Sequence, residues 1–367
     1  VRYPVLDLGN AQWKGVNGGL VGSGSQYSTP NVMVELQASD YAHLAYGDTP
    51  SSDVAKIAFY GTSKKPIFER CYAFNGLAIR LGGVPRYGLN RYMPEYIGVA
   101  CAYMLSNLYQ TDGECCVVAL NAPSVRDAGA KIEASYLGTW VIEHAGKTKR
   151  FAISQIRRME EVTGGLWLRL VDKDRTRFVP QTGQAMVIDI GGGTTEFLLT
   201  ENGKPLFDTV RSVKVGQRDI GVNQIMTTFA DALRRNPTVM SAYADGFELD
   251  DALVQRAFRD KHLYIAYKQQ SLDVATEFDL ATSGFITSLA TLYQQAGGLR
   301  VDNVYTTGGG GYVLLNHLRS PLRRANDTMD FIAPELAEHP QFANARGAQR
   351  FIGLLRNLGK LKDVDND

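Results

Sequence analysis

The chain has 367 residues, which at roughly 150 residues per domain suggests two domains, and 44% hydrophobic with 21% charged residues is the make-up of a globular protein. Lys plus Arg total 39 and Asp plus Glu 38, a net charge of +1, which argues against a dedicated nucleic-acid coat, because such proteins neutralise many phosphates. Glycine is plentiful at 37 residues, above an average usage of ~7%. The longest apolar run, Ile97 to Leu105, is too short to span a bilayer. No signal peptide opens the chain, and residues upstream of Val1 are to be expected. The four cysteines lack CxxC spacing and the five histidines are scattered, so buried free thiols in a reducing cytoplasm are expected and a zinc site is not.

In chain order, Tyr3 to Leu8 reads as a strand, followed by Gly9, a polar run and Lys14-Gly15-Val16 on a second strand. Val32 to Leu36 is the candidate third strand. Ile97, Ala100, Met104 and Leu108 mark a helix, and Cys116 to Leu120 a strand ending at Asn121-Ala122-Pro123. Residues 136 to 180 alternate in polarity like hairpin ribbons and read as an insertion, and Pro180 to Gly183 as a domain junction. The opening grammar then returns: Ala185 to Ile190 as a strand, Gly191-Gly192-Gly193, Thr194-Thr195, and Glu196 to Leu199. Asp7 and Asp189 end the two first strands, 182 residues apart, which points to one plan used twice. A third strand follows at Leu206 to Val215, closed by Gly216. Two helices carry apolar stripes, one on Val222, Ile225, Phe229 and Leu233, the other from Val274 to Leu292. Val301 to Thr306 reads as a strand, Gly308 to Gly311 as a turn, and Tyr312 to Leu318 as a short helix. Each domain is therefore expected to be a mixed sheet covered by helices.

Three glycine turns carry the chemistry: DLGNAQWKG (Asp7 to Gly15), DIGGGTTE (Asp189 to Glu196) and TTGGGG (Thr306 to Gly311). Glycine lets backbone N–H groups approach an anion without a Cβ in the way. Such a turn can hold phosphate oxygens, with Lys14 as a point charge and Thr194 or Thr195 as added donors. Asp7 and Asp189 could hold a hydrated Mg²⁺. Singly, each turn is ordinary; their order and position carry the argument. Neither a P-loop nor a Rossmann GxGxxG stands between a strand and a helix.

With these motifs in this order, the chain resembles the actin superfamily, and within it the prokaryotic actin-like proteins of the plasmid-segregation ParM/StbA and archaeal groups. DLGNAQWKG is similar to that family's first phosphate motif, DIGGGTTE to its second and VYTTGGGG (Val304 to Gly311) to its adenosine motif. PQFANARG (Pro340 to Gly347) and ALNAPSVRD (Ala119 to Asp127) are similar to further family segments. The resemblance implies an α/β actin-like fold: two ribonuclease-H-like domains, mixed five-stranded sheets flanked by helices, with a nucleotide cleft between them. It implies domain I at residues 1–182, completed by a C-terminal helix at 345–367, and domain II at 183–344. The implied ligand is ATP or GTP with Mg²⁺. It would be bound by Gly9, Asn10, Ala11, Gln12 and Lys14, by Gly191, Gly192, Gly193, Thr194 and Thr195, and by Gly308, Gly309 and Gly310. Asp7 and Asp189 would hold the metal through water and help orient the attacking water. Relatives carry a water-activating Glu or Gln at a helix start before the second hairpin. RRMEEVTGG (Arg157 to Gly165) is the nearest match and places Glu161 there, with Glu160 as the alternative and a solvated Glu-Glu pair as the plain reading. Its separation from Asp189 is long, and a hairpin around Lys173-Asp174 would account for that.

Two departures stand out. Asn10 to Trp13 replace the small residues of relatives, with Trp13 expected to pack inward, and Glu196 replaces a frequent Asp, with a structural role expected. The implied activity is a Mg²⁺-dependent triphosphatase that assembles with itself into a helical filament and moves or segregates DNA such as a plasmid, with a DNA-binding adaptor as a further partner. Direct nucleic-acid binding and membrane contact are not expected. The basic stretch Arg319 to Arg324 reads as a solvated face or filament contact rather than a DNA site. The alternative is a non-polymerising small-molecule kinase or phosphatase of the same superfamily.

Overall fold

In a computed structural model of the chain, the residues described are 2–9, 12–17, 25–86, 93–121, 129–215, 218–265, 269–295, 301–311, 314, 330–332 and 342–361. The chain divides into two compact units, Val1–Gln181 with Pro334–Asp367, and Thr182–Ala333.

The first unit contains β1 (Val5–Leu8), β2 (Gln12–Val16), β3 (Gln26–Pro30), β4 (Met33–Leu36), α1 (Ala38–Tyr46), β5 (Val54–Gly61), β6 (Phe68–Phe74) and α2 (Asn75–Arg80). It continues with α3 (Pro94–Leu108), β7 (Gly113–Asn121), α4 (Gly129–Tyr136), β8 (Gly138–His144), β9 (Lys147–Glu160) and α5 (Glu161–Leu170). Its sheet has nine strands in the order β3-β2-β1-β7-β9-β8-β5-β6-β4. The apolar run of β7 is buried on both faces, as expected of a central parallel strand. Val117 and Ala119 pack with Leu6, Leu8 and α3 on one side. Cys116, Val118 and Leu120 pack on the other with Phe342, Ala345, Ala348 and Ile352 of the C-terminal segment. All four cysteines are free and buried.

Two expectations are corrected here. The hairpin at 138–160 belongs to the sheet, and β8 together with β5, β6 and β4 extends the first sheet from the expected five strands to nine. The first half of β9 pairs with β8 and its second half runs parallel to β7, joining the two parts of the sheet. Trp140, Ile142, Phe151 and Ile153 lie in the core. The alternation that resembled a surface ribbon is that of a strand buried on one face. The third strand is Gln26–Pro30, paired with β2, while Met33–Leu36 pairs with β6 at the opposite edge. The more apolar segment drew the assignment, although an edge strand beside β2 needs few apolar residues.

The second unit contains β10 (Gln184–Ile190), β11 (Thr195–Glu201), β12 (Lys204–Ser212), β13 (Lys214–Val215), β14 (Arg218–Asp219), α6 (Val222–Arg235), α7 (Pro237–Ala244) and α8 (Asp251–Asp260). It continues with β15 (His262–Ile265), β16 (Gln270–Asp273), α9 (Ala275–Gln295), β17 (Asn303–Thr307) and β18 (Asp330–Ile332). Its sheet order is β12-β11-β10-β17-β18. Three strands are antiparallel neighbours, and two more join in parallel. That is the plan of β3-β2-β1-β7-β9 in the first unit. The predicted stripes Ile225, Phe229 and Leu233 of α6 and Phe278, Phe285 and Leu289 of α9 close over Met186, Ile188 and Ile190. Residues 308–311, expected as a turn, are helical. Gly216, most of Tyr312 to Leu318, and Arg319 to Arg324 lie outside the described residues. Among the described residues, no helix is long and apolar enough to cross a membrane. The C-terminal helix α10 (Ala343–Asn357) belongs to the first unit.

His144 is buried on β8, with Nδ1 3.1 Å from the Ser106 hydroxyl and Nε2 2.8 Å from the Ser52 carbonyl. Burial pushes its pKa down, the Ser52 carbonyl opposes that shift, and the buried Lys149 adds to it. The folded chain therefore takes up this proton less readily than the unfolded one. The imidazole's contribution to stability is complete above about pH 6.5 and is lost as pH falls through the lowered value. Urea midpoints at pH 7.5 and pH 5 should show a smaller drop in His144→Gln than in the parent chain.

Candidate functional site

In the first unit, Asp7 sits one residue from the end of β1 and is 3% exposed. Its register partner on β2 is Lys14, whose Nζ lies 2.7 Å from Asp7 Oδ2. A carboxylate this buried must be paired or hydrogen-bonded, and Lys14 supplies the charge. Gly9 and Gln12 flank the turn; Asn10 and Ala11, expected to bind phosphate, lie outside the described residues. Trp13 packs inward, fully buried against Phe74 and Tyr96, as expected from its bulk.

Glu161 is the first residue of α5, directly after β9, and is 7% exposed, so it is not part of a solvated pair. A hairpin does close after α5: Val171 bridges Phe178, and the Asp172 carboxylate accepts the Thr176 and Arg177 N–H groups. Gly164, behind Glu161, has a packing reason. A Cβ on Gly347 would overlap the Gly164 carbonyl, and one on Gly164 would overlap the Asn344 backbone. The Asn344 side chain accepts the Gly165 N–H at 3.1 Å, and Trp167 stacks on Phe351 at 4.2 Å. The VTGG and ANARG segments are thus two halves of one close helix crossing, which holds the start of α5 in place. Pro340 and Gln341 of the second motif, and residues 122–127 of ALNAPSVRD, lie outside the described residues.

In the second unit, Asp189 occupies the same place on β10 and is 7% exposed. It is in register with Glu196 on β11 and Thr307 on β17. Glu196 therefore stands beside Asp189 on the same face, at the register position that Lys14 holds in the first unit. In the turn, the Gly191 N–H donates to the Thr194 carbonyl at 2.9 Å. The Gly191 and Gly192 carbonyls accept the Val222 and Asn223 N–H groups at 3.0 and 2.8 Å. Those carbonyls are directed into the first turn of α6. Gly221 makes this approach possible: a Cβ there would lie 2.6 Å from the Gly192 oxygen. Sequence reasoning missed Gly221, although a glycine just before a periodic helix was a visible signal.

Gly308 has φ +78°, and its Cβ would lie 2.5 Å from both Asp189 Oδ1 and the Ile190 oxygen. A Cβ on Gly310 would strike Val222 and Ile190. The second and third glycine motifs are thereby brought against one another, with Gly309 between. The Thr195 hydroxyl is buried with no hydrogen-bond partner among the described residues. An orphaned donor and glycine cradles fit a phosphate ligand. Among the described residues no three potential metal ligands cluster.

The fold these elements define is that of the actin-like proteins. Over nearly its whole length the chain is similar to an archaeal actin homologue (TM-score 0.68, 16% identity, 96% of this chain and 99% of that one). It is similar also to Bacillus thuringiensis ParM solved with ATP (0.66, 15%, 98% and 99%) and to the ParM of a 15-stranded filament from Clostridium botulinum (0.64, 18%, 96% and 98%). No family model and no curated protein matches the sequence.

Gly347→Ala should force α5 and α10 apart and destabilise the protein by about 1–3 kcal/mol. Urea unfolding checks this, with Gly359→Ala as a control whose added Cβ meets open space but whose positive φ costs some strain.

Proposed function

We propose that the chain is a Mg²⁺-dependent nucleoside triphosphatase, ATP-specific or able to use GTP, whose nucleotide state governs assembly into a helical filament. The cargo is DNA such as a plasmid, reached through an adaptor protein, and the site of action is the cytoplasm. Residues 1–182 with 345–367 form domain I of this machine and residues 183–344 domain II.

The observation that carries the reading is the repeated hairpin, with a buried Asp one residue from the end of the first strand and a glycine turn after it, in the same five-strand plan. Support comes from the shared fold: the Bacillus thuringiensis neighbour was solved with ATP, and the Clostridium botulinum one is a filament subunit. Open-ended head-to-tail association yields filaments.

Hydrolysis of a phosphoanhydride needs positioning, charge neutralisation and an oriented water rather than a protein nucleophile. The turns after β1 and β10 supply N–H groups to phosphate oxygens, through Gly9 to Gln12 and Gly191 to Thr195. Lys14 brings a fixed positive charge to the first turn. Asp7 and Asp189 would hold Mg²⁺ through water; when bound, it would neutralise phosphate charge. Gly308 to Gly310 would admit the sugar and base. Glu161, fixed at the head of α5 by the helix crossing behind it, would orient the attacking water and accept its proton.

Light scattering should rise on adding ATP or GTP with Mg²⁺. Hydrolysis without any rise would instead favour the monomeric kinase or phosphatase reading. Glu161→Gln should slow hydrolysis by roughly 10²-fold while leaving nucleotide affinity near that of the parent. Unchanged turnover would move the role to another residue.

A further inference from the structure

We infer that Asn31 is a positioning residue that shapes the phosphate-binding turn after β1. The inference rests on the nucleotide reading above and deepens it. Asn31 follows β3 and is 0% exposed. Its Oδ1 accepts the Trp13 indole N–H at 2.9 Å and the Tyr96 hydroxyl at 2.6 Å. Its Nδ2 donates to the Gly9 carbonyl at 3.1 Å and to the Arg86 carbonyl at 2.7 Å. Both lone pairs and both hydrogens of the amide are thus in use.

Gly9 opens the turn and Trp13 sits on β2 just past its far side, and Asn31 holds both. A turn that binds an anion through backbone N–H groups works only if those groups already converge, since ordering them on binding costs affinity. The bulky Trp13 has a reason in this arrangement: only a residue with an N–H at the end of a long flat ring bonds the amide while filling the space against Phe74 and Tyr96. Arg86 lies over the Tyr96 ring at 4.3 Å, so the partners of Asn31 also brace one another. Replacing the amide NH₂ with a carboxylate oxygen would set that oxygen against two carbonyls. An apolar isostere would leave the indole, hydroxyl and carbonyls unmatched.

The test measures affinity for ATP and for AMP, by competition with a fluorescent ATP analogue, in the full chain and in Asn31→Asp, Asn31→Leu and Tyr96→Phe. The Asn31 variants should lose about tenfold or more in ATP affinity, the weight of one or two hydrogen bonds, with AMP affinity within about twofold. That split follows because the turn serves the terminal phosphates, whereas general loosening would weaken both ligands alike. Tyr96→Phe keeps the ring and removes one donor, so it should shift ATP affinity in the same direction by less, and it stands as the test if the Asn31 variants do not fold. Folded variants with unchanged ATP affinity, or with equal losses for ATP and AMP, would overturn the inference. A parent chain that binds neither ATP nor GTP would overturn the nucleotide reading itself, and the inference with it.

Discussion

At several crossings this chain approaches itself so closely that one added carbon would fill the gap. Gly308 lies against Asp189, Gly221 against the turn at Gly192 and Gly193, and Gly164 against Gly347. Each contact brings backbone against backbone, at Gly308 the Ile190 carbonyl as well as the Asp189 carboxylate, and each fixes an element that carries a candidate functional group. The carbonyls of the second turn accept the first N–H groups of α6, the residues at 308–310 sit beside the end of β10, and α5 begins with Glu161. The glycine excess of the composition therefore serves proximity in part, and at Gly308 a positive φ as well.

The two units apply one strand plan to different electrostatics. In the first, a buried aspartate faces a lysine across the hairpin, and the pair is 2.7 Å apart. In the second, the equivalent register position holds Glu196, so two carboxylates stand side by side on one face. A buried ion pair contributes little net stability against its desolvation, but it holds both groups in a set geometry. Glu196, expected from sequence to be structural, is the register neighbour of Asp189.

Much of the fold was legible where the signal is local. The stripes on α6 and α9 and the apolar run of β7 announced helices and a buried strand, because side-chain periodicity follows directly from backbone geometry. The two Asp-Gly hairpins were legible for a similar reason, since a strand, a glycine turn and a second strand occupy few residues. What misled was pairing. Val32 to Leu36 is apolar enough to read as the third strand, yet the strand there, Met33–Leu36, pairs with β6. The 138–160 hairpin showed correct alternation, but nothing in its residues says that β9 continues beside β7.

By itself, then, the sequence determined the type of most elements, the two turns and their aspartates, and the identity of Glu161 at a helix start, all set by interactions within a few residues. Only the tertiary structure decided that the first sheet has nine strands, that the ANARG segment packs behind Glu161, and that Asn31 holds both Gly9 and Trp13. Those contacts join residues tens to hundreds of positions apart, and their existence depends on strand register and helix crossing, which no local pattern encodes.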